Sequence, residues 1–162
     1  CVGALTPGKR INLVISAVAK LEGVSLLVVG DGDLKNEIDD LGKKLLKKRF
    51  QLVKVPYSQL PTVYRVADLF SLVSAPYHSF EIVLVEAMAT GLGVVANDDP
   101  IRREIIEDAG LFVDPTNKEE YAKALETALK MKWGDKQRRQ AEKFSWDKIA
   151  EQYEELFKEL RN

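Results

Sequence analysis

The 162-residue chain contains one cysteine, Cys1, so it can close no internal disulfide and supports no cysteine-based metal site. It has almost no net charge. Its 24 Lys and Arg oppose 25 Asp and Glu, which leaves no bulk attraction for nucleic acid. No apolar run is long enough to span a bilayer and no leader pattern opens the chain, so a cytoplasmic location is expected. Internal repeats, low-complexity tracts and interior linkers are absent as well, which suits one domain over residues 1–162. Two nucleotide-binding signatures are missing or broken. No G-x-G-x-x-G follows the first apolar run, which argues against a nicotinamide-binding domain. The stretch Gly3-Ala4-Leu5-Thr6-Pro7-Gly8-Lys9-Arg10 nearly fits a P-loop. However, Arg10 stands where a Mg²⁺-ligating hydroxyl is needed, and Pro7 removes a backbone N–H from the cradle.

What the chain does have is alternation. Apolar runs at residues 2–5, 24–29, 50–55, 69–73, 93–96 and 111–113 read as strands. Helical patterns separate them at residues 11–21, 34–48, 59–66, 79–92 and 100–107, and two more follow at 119–130 and 145–160. Continuous apolar strands between helices predict an α/β fold: a doubly wound, parallel, six-stranded Rossmann-like sheet with helices on both faces. Residues 1–3 read as a strand entered midway, so the numbering is expected to begin inside a longer chain. The basic cluster Lys43, Lys44, Lys47, Lys48 and Arg49 is at helical spacing, which suits a solvated face or peripheral contact with the inner membrane surface. In the last helix Ile149, Tyr153, Leu156 and Leu160 form one apolar stripe, with Ser145 placed to cap it.

The most informative stretch is Ser79-Phe80-Glu81-Ile82-Val83-Leu84-Val85-Glu86-Ala87-Met88-Ala89-Thr90. Ser79 can cap a helix here, and Ile82, Val85, Ala89 and Leu92 fall on one helical face. Glu86 is the one charge between Glu81 and Asp98. A carboxylate in an apolar helix is costly unless something binds it, so it either reaches solvent at an edge or accepts ligand hydroxyls. Ligands of open α/β sheets sit at the carboxyl ends of the strands. Three loops there are candidates: residues 4–10, 30–34 and 75–81.

This stretch, with Asn97-Asp98-Asp99-Pro100, Ala109-Gly110-Leu111-Phe112-Val113-Asp114-Pro115 and the tail Phe144-Ser145-Trp146, resembles the donor-binding half of retaining glycosyltransferases of family 4, which have the GT-B fold. The resemblance spans essentially the whole chain and implies strand order 3-2-1-4-5-6, with the acceptor domain missing. It also implies a nucleoside-diphosphate sugar as donor, a saccharide or lipid as acceptor, and transfer with retention that needs no metal or other cofactor. The residues it assigns to catalysis are Lys9, His78 and Glu86. Lys9 would neutralise the departing diphosphate and Glu86 would hold the ribose. His78 occupies the position of a family glutamate that binds the transferred sugar. The donor-binding set adds Gly3, Ser79, Phe80 and Glu81, the last three through backbone groups at a helix N-terminus. Val55, in Val55-Pro56-Tyr57, is a candidate wall for the base. Three departures favour an alternative, a catalytically degenerate module that binds only a nucleotide or a partner. Ala4 stands where the family often has Arg, His78 replaces a carboxylate, and Glu81 replaces Gly at the turn expected to face phosphate. Arg10, Arg102 and Arg103 are candidates for the missing cation. A solvated Glu81 pointing outward suits the helix dipole and is the expected geometry.

Overall fold

The computed structural model describes residues 1–76 and 80–161. Five parallel strands alternate with helices. The first half contains α1 (Ile11–Val18), β1 (Leu26–Val29), α2 (Lys35–Leu46), β2 (Phe50–Val53) and α3 (Leu60–Arg65). The second contains β3 (Leu69–Leu72), α4 (Ile82–Ala89), β4 (Gly93–Asn97), α5 (Pro100–Ile106) and β5 (Gly110–Val113). Three helices follow: α6 (Lys118–Lys130), α7 (Lys136–Glu142) and α8 (Trp146–Leu160). The sheet order is β1-β2 in one ladder and β3-β4-β5 in the other, every pair parallel. In β4 all five residues are buried, so helices cover both of its faces. One helical group is α1 with α2 and α6, and the other is α4 with α5 and α7.

Among the described residues, the six expected strands are five and an isolated bridge. Of residues 2–5, Val2 forms a parallel bridge to Val29. The chain then follows the loop after β1. Leu5 N–H donates to Asp31 O at 2.9 Å, and Leu34 N–H donates to Leu5 O at 3.0 Å. Those bonds occupy the groups a ladder would need. A cavity of about 570 Å³, lined by Cys1, Leu27, Leu69, Phe70 and Leu125 among others, opens between the facing edges of β1 and β3. Among the described residues no ladder joins the two sheets.

Two helices differ from the sequence reading. Helix α4 buries Leu84, Ala87 and Met88, while Ile82 and Ala89 are exposed. The expected Ile82–Val85–Ala89 face is therefore not the core face. A helix apolar on every side carries no amphipathic direction, and packing against α7 decides its orientation. Its N-cap position is Glu81, in the left-handed region (φ 61°), and Ser79 lies outside the described residues. Helix α7 was not foreseen at all. It is held by two buried glutamines: Gln137 Nε2 donates to Ala109 O at 3.1 Å, and Gln140 Nε2 to Ile105 O at 3.0 Å. Among the described residues no helix is long and apolar enough to cross a membrane. In the basic cluster, Lys43 pairs with Asp39 and Arg49 donates to Leu21 O at 2.9 Å, so Arg49 fastens the loop before β1.

Candidate functional site

The loops after the strands converge at the carboxyl ends, as the fold dictates. Close backbone approach starts this. A side chain at Gly30 would place its Cβ 1.9 Å from Gly3 O, and Gly32 (φ 153°) lies against the Leu5 backbone, so both positions require glycine. The loop carrying Lys9 is then fastened to the end of β3. Ala75 N–H donates to Gly8 O at 2.7 Å, Arg10 Nε donates to Val73 O at 2.7 Å, and Arg10 Nη2 donates to Ser74 O. Arg10 holds φ 47°, a left-handed conformation that costs a non-glycine residue about 1–2 kcal/mol. Three hydrogen bonds across the loops offset that cost. Burial, with the Arg102 guanidinium nearby, lowers the Arg10 pKa from its ordinary value.

Glu81 is the point at which the expected geometry fails. It does not face solvent: its side chain is 2% exposed. Its Oε2 pairs with Lys9 Nζ, and its Oε1 lies 3.3 Å from Arg102 Nη2. Arg102, 1% exposed, also lies 3.4 Å from Asp99 Oδ2. Asp99 caps α5 by accepting from Arg102 N–H at 2.9 Å, and it accepts from Asn97 Nδ2. The buried Arg102 and the partly buried Lys9 are stronger partners for a carboxylate than solvent and the dipole of an eight-residue helix. Asn97 Oδ1 and Ser74 Oγ, at the ends of β4 and β3, are buried without a hydrogen-bond partner among the described residues.

Of the three candidate replacement cations, Arg10 is spent on carbonyls and Arg103 pairs with Asp98 on the surface at 2.5 Å. Arg102 is the one inside the cluster. Sequence reasoning missed the fit between Glu81 and Arg102. The signal was present: an acidic residue at a position expected to be glycine, with a surplus arginine after the next strand.

Glu86, half-buried on α4, is neither alone nor merely solvated. Its Oε1 accepts from Tyr57 Oη at 2.7 Å and its Oε2 from Tyr64 Oη at 2.7 Å. Burial first, and then the Glu86 carboxylate, push the Tyr64 hydroxyl well above its ordinary pKa. The hydrogen bond to Glu86 raises that of Tyr57. Both tyrosines are therefore donors at neutral pH. Val55, the expected base wall, is half-buried and packs against the core; Tyr57, two residues on, is the residue that reaches Glu86. Gly3 donates its N–H to Val29 O at 3.0 Å and lies beside the Lys9 side chain. Phe80 packs edge-to-face on Phe144 at 5.4 Å. His78 and Ser79 lie outside the described residues. Lys9, Gly3 and Glu81 thus form one cluster, and Glu86 with Tyr57 and Tyr64 another. Among the described residues no group of three or more His, Cys, Asp or Glu is placed to hold a metal.

Fold and site together define a parallel α/β domain whose strand ends carry an ion-pair cluster of Lys9, Glu81, Arg102 and Asp99 and, beside it, a carboxylate bonded to two tyrosine hydroxyls. Comparison with known proteins narrows this further. Residues 1–145 match the family of glycosyl transferases group 1, and the chain belongs to that family. It is 31% identical to an uncharacterized glycosyltransferase of Methanocaldococcus jannaschii over 97% of this chain and 43% of that protein. It is 37% identical to a phosphatidyl-myo-inositol mannosyltransferase of Mycolicibacterium smegmatis over 74% of this chain and 32% of that protein. The chain thus spans less than half the length of these relatives. Among solved structures, Anabaena HepE in complex with UDP superposes with a TM-score of 0.84 at 24% identity, covering 98% of this chain and 48% of that one. TarM superposes at 0.80 with 27% identity, covering 97% and 34%. The fold is that of the carboxyl-terminal half of a GT-B glycosyltransferase.

Proposed function

We propose that this chain is the donor-binding domain of a glycosyltransferase that uses a nucleoside-diphosphate sugar. Glu86 carries the reading: a half-buried carboxylate in an apolar helix at the strand ends, with each oxygen accepting from a hydroxyl at 2.7 Å. A carboxylate oxygen has two lone-pair positions, so the same group can accept from the vicinal hydroxyls of a ribose. The acceptor side of the cleft belongs to a second domain of a longer protein, in keeping with the share of each relative that the chain covers.

Transfer is proposed to proceed with retention and without a metal. Negative charge grows on the leaving diphosphate as the sugar becomes oxocarbenium-like. The Lys9 ammonium and backbone N–H groups at the start of α4 are proposed to stabilise it. Arg102 holds Glu81, and Glu81 holds Lys9. The acceptor is proposed to be a saccharide or lipid. One relative is named for phosphatidyl-myo-inositol and another is a lipopolysaccharide N-acetylglucosaminetransferase of Salmonella typhimurium. A second reading, a module that binds nucleotide without transfer, rests on the same Lys9–Glu81 pair, which keeps Lys9 engaged.

The test is titration of the protein with UDP and GDP. Glu86→Gln should weaken binding by about 1–3 kcal/mol, the worth of a charged hydrogen bond, and leave the fold intact. Unchanged affinity would remove Glu86 from the site.

A further inference from the structure

The two hydroxyls on Glu86 differ in kind. Tyr64 is buried and its ring packs edge-on against Phe70 at 5.8 Å, so it is a fixed part of the wall. Tyr57 is 72% exposed, begins a short 3₁₀ turn (Tyr57–Gln59) directly after Pro56, and meets no other aromatic ring among the described residues. The Tyr57–Glu86 hydrogen bond joins the loop after β2 to the middle of α4. An exposed ring of that size gains little from remaining in water.

We infer that Tyr57 is a nucleoside latch: its hydroxyl competes with a ribose hydroxyl for Glu86 Oε1, and its displaced ring then stacks on the base. This rests on the donor-site reading above and adds a specificity residue to it. The exchange at Glu86 swaps one hydroxyl donor for another, so it is close to neutral in free energy. Tyr64 keeps its bond to Oε2 throughout and holds the carboxylate in place. The ring offers a sequence-tolerant π-face, so the latch should favour any nucleoside diphosphate over pyrophosphate rather than choose sharply between bases.

Calorimetric titration of the wild-type protein, Tyr57→Phe, Tyr57→Ala and Glu86→Gln with UDP, GDP and inorganic pyrophosphate separates the contributions. Tyr57→Phe keeps the ring and removes the competitor, and should tighten both nucleotides about twofold to fivefold. Tyr57→Ala also loses the ring and should bind them roughly fivefold to thirtyfold more weakly than Tyr57→Phe. Pyrophosphate affinity should change less than twofold in both. With 2′,3′-dideoxyuridine diphosphate the gain in Tyr57→Phe should disappear. The latch is overturned if Tyr57→Phe weakens nucleotides as much as Tyr57→Ala, or if neither variant changes them while Glu86→Gln does. The second result leaves the donor site standing. Failure of the wild-type protein to bind either nucleotide overturns the donor site and the latch together.

Discussion

Lys9 and Glu81 form an ion pair across the mouth of the strand ends, and Glu81 is itself backed by the buried guanidinium of Arg102. The turn proposed to face phosphate therefore already holds a carboxylate paired with Lys9. Removing one member of a buried network costs more than the network is worth, because the partner is left uncompensated. Glu81→Gln should lower folding stability by about 3–5 kcal/mol, read from denaturant midpoints at unchanged slope. Arg102→Met in the same background should return part of that loss, a non-additivity that two independent sites would not show.

The same pair sets the expectation for binding. With Glu81 gone, Lys9 no longer divides its charge between a carboxylate and the ligand. Glu81→Gln should tighten UDP about threefold to tenfold at low ionic strength, and the gain should shrink as salt screens the site. Equal affinity at low salt would show that Lys9 leaves Glu81 at no cost.

Helix α8 has no buried residue, and Trp146, Tyr153, Phe157 and Leu160 are all exposed, Trp146 at 79%. Ser145 caps it by accepting from Lys148 N–H at 3.4 Å. A helix that buries nothing adds little to the domain it is attached to. A chain ending at residue 145, which keeps the Phe80–Phe144 contact, should unfold within about 1 kcal/mol of the whole chain. It should also lose any concentration-dependent association, since the apolar stripe is the surface on offer. A stability loss above about 2 kcal/mol would show that α8 packs on the domain in solution.

The alternation of buried strands and helices was legible because parallel strands covered on both faces read as unbroken apolar runs, as β4 does. Glu86 stood out because it was the one charge in an apolar helix. The orientation of α4 was not legible, since Ile82, Val85, Leu84 and Met88 are equally apolar and tertiary packing alone ranks them. Helix α7 escaped because its anchors are glutamines bonded to carbonyls, a pattern with no hydrophobic period. Residues 2–5 carry strand composition, yet loop hydrogen bonds take the backbone groups that pairing would use. The geometry of Glu81 was missed for a related reason, although an unexpected acid and a surplus arginine are both visible in the sequence. Its fate depends on Arg102, which sequence distance hides and the sheet brings close.

Half of a cleft can bind a donor but cannot position an acceptor, and positioning supplies a large part of the rate. Residues 1–162 alone should therefore bind UDP and transfer no sugar from UDP-glucose or GDP-mannose to a saccharide or lipid acceptor. Robust transfer by this chain in a product assay would show that one domain suffices.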